Sequence, residues 1–416
     1  MKLILLLAFA ETITALVSNV QLYEIESRRT KLLRAGLWSK HLKQKNLLRT
    51  ARKIDSKAVV AQQLNDYDDL EYVGNATIGS PKGQEFVVVL DTGSADFWIP
   101  DRNCITTCKN KHTFDSSKSK TYAADGRTWT VSYGDGSNAT GFLGVDSITI
   151  GGINEEQLAI SKQAFGQATS MSGFEQDVVD GILGLGFEDL SVTKVKPPLI
   201  NAVNQRLLNE PLFTVWLARR GRKEGDVGGI ITYGGYDKEH CGTTMLKVPL
   251  TRAAYWQFTI TGVKVGNQGT CTKWDYDSKN DLYFIRCTSK KGNLGFFIGG
   301  KLFEIEPANY IIQIASNTCV LSLFGFSFGG YGPSWILGNP FIRQFCNIHY
   351  ISERQIGFAR SFQQGSHETS SGTSTDCVTE LKKELNGSRR NALSLTTLMY
   401  SNTYLLAFLT GMTWQL

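Results

Sequence analysis

Along most of the chain the apolar positions come in short runs, some alternating with polar residues and some continuous, each closed by Gly, Asn or Asp. EYVGNATIG, QEFVVVLDTG, RTWTVSYGDGS and GFLGVDSITIGG follow one another in this way, the pattern of β-strands joined by turns. RTWTVSYGDGSNATGFLG predicts a hairpin with its tip at Gly134-Asp135-Gly136, residues that tolerate positive φ. DGILGLGF (180–187) predicts a buried strand ending in glycines, and PPLINAVNQRLL (197–208) has helical spacing after its prolines. The first of these is echoed by SWILGNPFIRQF (334–345), another apolar strand running into Gly. Two similar lobes are implied, divided near Gly228-Gly229 and ending at IGFARSF (356–362).

The two ends have other textures. MKLILLLAFAETITALVSN has one Lys and an apolar stretch too short to span a bilayer, which predicts a secretory signal peptide over 1–18. The expected divisions are then a basic propeptide over 19–60, a first lobe over 61–229 and a second over 230–362. A linker and apolar tail occupy 363–416. Asn75-Ala-Thr, Asn138-Ala-Thr and Asn386-Gly-Ser are glycosylation sequons, weak support for a secreted or lysosomal glycoprotein. The tail, TYLLAFLTGMTWQL behind Asn386-Gly387-Ser388, reads either as a glycolipid-anchor signal or as a loose or docked terminal element. Membrane attachment is expected only in the first case.

Composition sharpens this in two places. The chain has 416 residues with 41 Gly, 22 Phe and 15 Tyr, which favours β structure in two domains or one large bilobal core. Its net charge of +6 is unevenly spread: residues 21–60 balance to +8 and residues 61–416 to −2. A basic segment directly behind a signal peptide argues against nucleic acid as its partner. It is expected to lie over an acidic cleft and to be released when acid neutralises the carboxylates. The eight cysteines, in an oxidising lumen, should mostly pair.

Candidate chemistry narrows by exclusion. HExxH and GxxxxGK[ST] do not occur, and the five histidines are scattered, so neither a metal nor an organic cofactor is expected. GFSFG (325–329) has the letters of a nucleophile elbow around Ser327, but the GGYGP that follows would block the helix such an elbow needs. Carboxylate chemistry remains. In VVLDTGSADFWIP, Asp91 ends an apolar run where a carboxylate is costly unless it is used.

VVLDTGSADFWIP, SYGDGS and DGILGLGF, in this order and at these separations, resemble the first lobe of a pepsin-like, cathepsin D-like aspartic protease precursor. SWILGNPFIRQFCNIHYISERQIGFA resembles the end of its second lobe. The resemblance implies an all-β, bilobal fold with a central cleft, monomeric, hydrolysing polypeptides at acidic pH beneath a flap. Asp91 would be one of two carboxylates that activate a water; Thr92 and Gly93 would buttress its loop, and Ser94 would hydrogen-bond the carboxylate. Tyr133 and Gly134 would lie on the flap, with Trp98 behind Tyr133. Gly184 would back the Asp loop, and Gly338 would be its second-lobe counterpart. The partners implied are polypeptide substrates or peptide ligands and the chain's own propeptide. Cys104–Cys108 and Cys287–Cys319 resemble family disulfides, Cys241 could pair with Cys346, and Cys271 and Cys377 are left over.

The second lobe departs from the family. After YWQFTITGVKVGN (255–267), read as a hairpin, an Asp-Thr/Ser-Gly should follow, yet only GTCTKWDYDSKNDLYFIRC leads to Cys287. No DTG or DSG occurs after Gly93. Asp275 and Asp277 lie nearest in position but read as a surface turn. The lobe is expected to be incomplete, and the chain to be either a degenerate relative or the product of a skipped coding segment. Two functions follow: an aspartic endopeptidase, or an inactive peptide-binding relative that keeps cleft and flap.

Overall fold

The computed structural model describes residues 16–25, 28–43, 71–133, 137–174, 177–219, 227–265, 275–280, 282–288, 292–326, 335–363 and 405–408. The architecture is all-β and bilobal, as the strand-and-turn texture predicts. Strands of the first half are β1 (Ser18–Ile25), β2 (Glu71–Ile78), β3 (Gln84–Asp91), β4 (Phe97–Pro100), β5 (Ala123–Ser132), β6 (Asn138–Ile150), β7 (Leu158–Ser172), β8 (Gly181–Gly184) and β9 (Leu212–Leu217). The second half supplies β10 (Val227–Tyr233), β11 (Cys241–Pro249), β12 (Arg252–Ala253), β13 (Trp256–Gln257), β14 (Ile260–Val265), β15 (Asp275–Asp277), β16 (Leu282–Arg286) and β17 (Leu294–Ile298). It continues with β18 (Lys301–Ile305), β19 (Ile311–Ala315), β20 (Thr318–Leu321), β21 (Leu323–Phe326), β22 (Trp335–Ile336), β23 (Phe345–Tyr350), β24 (Gln355–Ser361) and β25 (Leu405–Phe408).

One thirteen-stranded sheet runs through both halves in the order β11-β24-β23-β9-β10-β1-β2-β3-β8-β4-β7-β6-β5. Gly228 and Gly229 therefore fall inside β10, in the middle of this sheet. β3 reads VVVLD without alternation because its last four residues are buried on both faces. β8 lies parallel to it and β4 antiparallel to β8. The predicted flap hairpin is β5 and β6, paired from Ser132↔Asn138 outward, and residues 134–136 lie outside the described ones. The helix Pro198–Asn204 starts with Pro in its first turn, where the missing N–H costs nothing.

The second lobe is broken into smaller pieces: β14-β17-β18, β15-β16-β20-β19 and β21-β25-β22. YWQFTITGVKVGN is not one hairpin. Trp256–Gln257 closes a ribbon with Arg252–Ala253, while β14 pairs with β17. The core still closes, with Trp256, Phe258, Phe296, Phe303, Phe341 and Phe358 inside it.

The segment read as signal peptide and basic propeptide is partly built into this fold. β1 fills the gap between β10 and β2, with Val20 and Leu22 buried and Asn19 and Gln21 exposed, a clean alternation. Beyond the helix Arg28–Arg34, Trp38 is buried among Leu282, Ile314 and Val320 and donates its Nε1–H to the Asn280 carbonyl at 2.9 Å. Arg34 Nε donates to the Ile314 carbonyl at 3.0 Å. Release by acid alone is thus the wrong picture for these residues, because strand pairing and apolar burial hold them as well as charge. Leu405–Phe408 of the tail is a strand between β21 and β22, and no helix among the described residues is long and apolar enough to cross a membrane.

Candidate active site

Asp91 is the last residue of β3 and is 1% exposed. Its loop is held from behind by the glycine strand. Leu185 N–H donates to the Asp91 carbonyl at 2.7 Å, Gly184 N–H to that of Asp96 at 3.0 Å, and Gly186 N–H to that of Ser94 at 2.7 Å. Such contact requires glycine: a Cβ on Gly184 would stand 2.5 Å from the Ala95 backbone, and one on Gly186 2.8 Å from the Ser94 carbonyl oxygen. Gly93 N–H donates to Asp91 Oδ1 at 2.9 Å, so the loop turns the carboxylate by its own backbone. Thr92 and Ser94 are buried beside it. The hydrogen bond expected from Ser94 is not formed: its hydroxyl makes none among the described residues.

Trp98 and Tyr133 meet as the sequence predicts. Both are buried, their rings stack with centroids 6.5 Å apart, and Trp98 Nε1–H donates to the Tyr133 hydroxyl at 2.5 Å. Phe174 packs edge-on against both rings. This ties the flap strand β5 to the strand that follows the Asp loop. Tyr133→Phe leaves a buried indole N–H without this partner, a loss of about 1–3 kcal/mol. It is expected to loosen the flap, read as faster amide exchange over residues 129–133 and weaker binding of cleft peptides. Gly134 lies outside the described residues.

Tyr255 was missed. Its neighbours dock against the glycine strand: Phe187 N–H donates to the Ala254 carbonyl and Trp256 Nε1–H to the Leu185 carbonyl, both at 3.1 Å. Burial pushes the Tyr255 phenol pKa up, and the Asp91 charge adds to the rise. The phenol is therefore held protonated within the field of Asp91. The one signal was its place beside Trp256, an aromatic pair opening the second lobe.

The carboxylates of Asp277 and Asp96 are each held by partners of their own. Asp277 caps its own turn, accepting from the backbone N–H groups of Lys279 and Asn280 and from Asn280 Nδ2, which lowers its pKa against its partial burial. Asp275 pairs with Phe284 in the three-residue β15. Asp96 is buried but fully engaged by Ser191 Oγ, Val192 N–H and both Thr193 donors. In the first lobe the strand parallel to β8 is β3, which delivers Asp91. In the second lobe the strand parallel to β22 is β25, whose residues LLAF include no acid. Gly338 follows β22 as expected of a counterpart to Gly184 and caps the helix Asn339–Gln344.

Three disulfides close in the described residues: Cys104–Cys108, Cys241–Cys346 and Cys287–Cys319. Cys271, Cys377 and Ser327 lie outside them.

The profile of the family described as eukaryotic aspartyl protease matches residues 71–278 and 272–361. The chain belongs to that family. Aspartic protease 6 of Caenorhabditis elegans is 40% identical to this aspartyl protease over 393 residues, covering 88% of the chain and all of the relative. Aspartic protease 2 of Necator americanus is 33% identical, covering 86% of the chain and 99% of the relative. Rhizopuspepsin-1 of Rhizopus niveus is 34% identical over 322 residues, 70% of the chain and 79% of the relative. The 393 aligned positions exceed the residues that 88% of this chain supplies, so the first relative carries residues without counterparts here. The family profile likewise meets the chain in two stretches that overlap at 272–278 rather than in one run.

Proposed function

We propose that this aspartyl protease follows the secretory route and holds extended polypeptide between the Asp91 loop and the Tyr133 flap. We propose further that it hydrolyses peptide bonds poorly or not at all. The observation that carries this is the strand beside β22. Where the first lobe places β3 and Asp91, the second places β25, without a carboxylate. The overlap of the two profile matches, falling where the sequence runs short, supports the same reading.

The physical reason lies in proton sharing. The aspartic protease pair is the standing example of two facing carboxylates that cannot both ionise, so that one acts as base and the other as acid. Asp91 can orient a water, but the strand beside β22 supplies no carboxylic acid to protonate the carbonyl. Tyr255 does not replace it, because a phenol whose pKa is raised is a weaker acid than an ordinary tyrosine.

The secretory route is supported by the N-terminal apolar run and the three disulfides, which persist in oxidising compartments. The docked strand Ser18–Ile25 and the buried Trp38 support a zymogen in which the propeptide is the chain's own partner. An acidified sample should bind a statine-type peptide in the cleft and leave casein intact. Failure to bind, in protein shown to be folded, would sink the peptide-holding part. Robust cleavage lost on replacing Asp91 and also Asp275 or Asp277 would sink the deficit.

A further inference from the structure

Two sequons share the same tripeptide, Asn75-Ala-Thr and Asn138-Ala-Thr, and sequence alone cannot rank them. The fold separates them. We propose that Asn138 carries an N-linked glycan on the outer face of the flap hairpin, and that Asn75 carries none in the folded protein. The proposal rests on the secretory route argued above.

Asn138 opens β6, opposite Ser132 on one side and Ser172 on the other. Around it Val131, Tyr133, Ala139 and Met171 are buried, all within 6% exposure, and they form the inward face that packs on Trp98. Strand alternation puts Thr130, Ser132, Asn138, Thr140, Ser170 and Ser172 on the opposite face. Each of these six is at least partly exposed. The Asn138 side chain is engaged in no hydrogen bond among the described residues. A sugar there meets solvent and a surface of hydroxyls, and it stays off the cleft side of the flap.

Asn75 lies in the middle of β2, and its amide is already in use. Asn75 Nδ2 donates to Glu155 Oε1 at 2.9 Å, and the same oxygen takes the Tyr23 hydroxyl at 3.2 Å. Glu155 Oε2 accepts from Gly152 N–H at 2.8 Å, which fixes the carboxylate. A Cβ on Gly152 would itself stand 3.0 Å from Asn75 Nδ2, so the first sugar ring would compete with that loop. Thr77, the third residue of the sequon, is 5% exposed.

In the transfer, the side-chain amide nitrogen displaces diphosphate from the anomeric carbon of a lipid-diphosphate-linked oligosaccharide. An N–C bond forms, the C–O bond to the lipid diphosphate breaks, and one amide proton is lost. Transfer happens on the extended chain, so both asparagines are substrates for it. Chains that acquire a sugar at Asn75 fail to fold and are not secreted, so the secreted protein carries its glycan at Asn138.

The test is to secrete the full chain from eukaryotic cells behind a borrowed cleavable signal, so that routing is not the variable. The folded product is treated with peptide N-glycosidase in heavy-oxygen water and mapped by mass spectrometry. Asn138 is expected to be converted to heavy-labelled Asp and Asn75 to remain Asn, and Asn138→Gln should lower the intact mass by one glycan. An unmodified Asn138, or a converted Asn75, in the secreted protein would overturn the assignment. A glycan that forms only with the borrowed signal would count against the native secretory route and still support the site.

Discussion

Denatured haemoglobin incubated with the purified chain at acidic pH is expected to yield peptides about two to four orders of magnitude more slowly than with an intact family member. Asp91→Asn should then remove little of what remains. In a complete pair either carboxylate is indispensable, because the base that activates water and the acid that protonates the carbonyl act in one step. On the proposed reading Asp91 contributes orientation of a water without a facing acid, and the cost of misplacement adds to that loss. The geometry around Asp91 is otherwise intact: the loop is pinned by Gly184–Gly186, and the flap is tied to Trp98. Substrate affinity should therefore survive far better than turnover, so that the loss appears in kcat and not in KM. An insertion between β14 and β15 that supplies a strand ending in Asp-Thr-Gly should bring acid-dependent cleavage back. Cleavage at the rate of an intact relative, without such an insertion, would refute the deficit.

The first lobe was legible because its chemistry and its packing sit in the same residues. VVLDTGSADFWIP is apolar without alternation since β3 and β4 lie within the thirteen-stranded sheet, so a polar interruption there stood out as a site. Trp98 and Tyr133, 35 residues apart, were paired through the family resemblance, and so were two of the disulfides. Two kinds of feature escaped. Ser18–Ile25 alternates well enough to predict a strand, but the charge of the residues after it dominated the reading. Its place between β10 and β2 depends on partners some 50 and 210 residues away, which local pattern does not encode. Tyr255 and β25 escaped for a related reason: each is defined by the neighbour it meets, Asp91 in one case and Trp335–Ile336 in the other. The count of residues between Asn267 and Cys287 was visible in the sequence; the pairing of Leu405–Phe408 with Trp335–Ile336 was not.

Stability is expected to fall steeply as the chain is acidified below about pH 6.5, the ordinary range of histidine, and His349→Phe should remove much of that slope. His349 lies in β23 opposite Phe213 of β9, fully buried. Its ring stacks on Phe213 at 3.9 Å with 4° between planes and meets the edge of Trp256 at 4.6 Å. Burial pushes its pKa well below the usual value, and the backbone of Phe213 and Asn347 opposes that only in part. Above the unfolded pKa both states hold a neutral ring and the residue contributes no slope. Below it the unfolded chain takes up a proton that the folded one refuses, so each pH unit withdraws about 1.4 kcal/mol until the folded pKa is reached. Phenylalanine keeps the stack and has no ring nitrogen to protonate. The variant's urea midpoint should thus fall less than the parent's between pH 7 and pH 4. Parallel midpoint-against-pH curves for the two proteins would refute this. The consequence reaches the site through Trp256, whose indole N–H holds the Leu185 carbonyl while the Leu185 N–H holds that of Asp91. Acid that would protonate Asp91 therefore also strains, from behind, the strand that positions it.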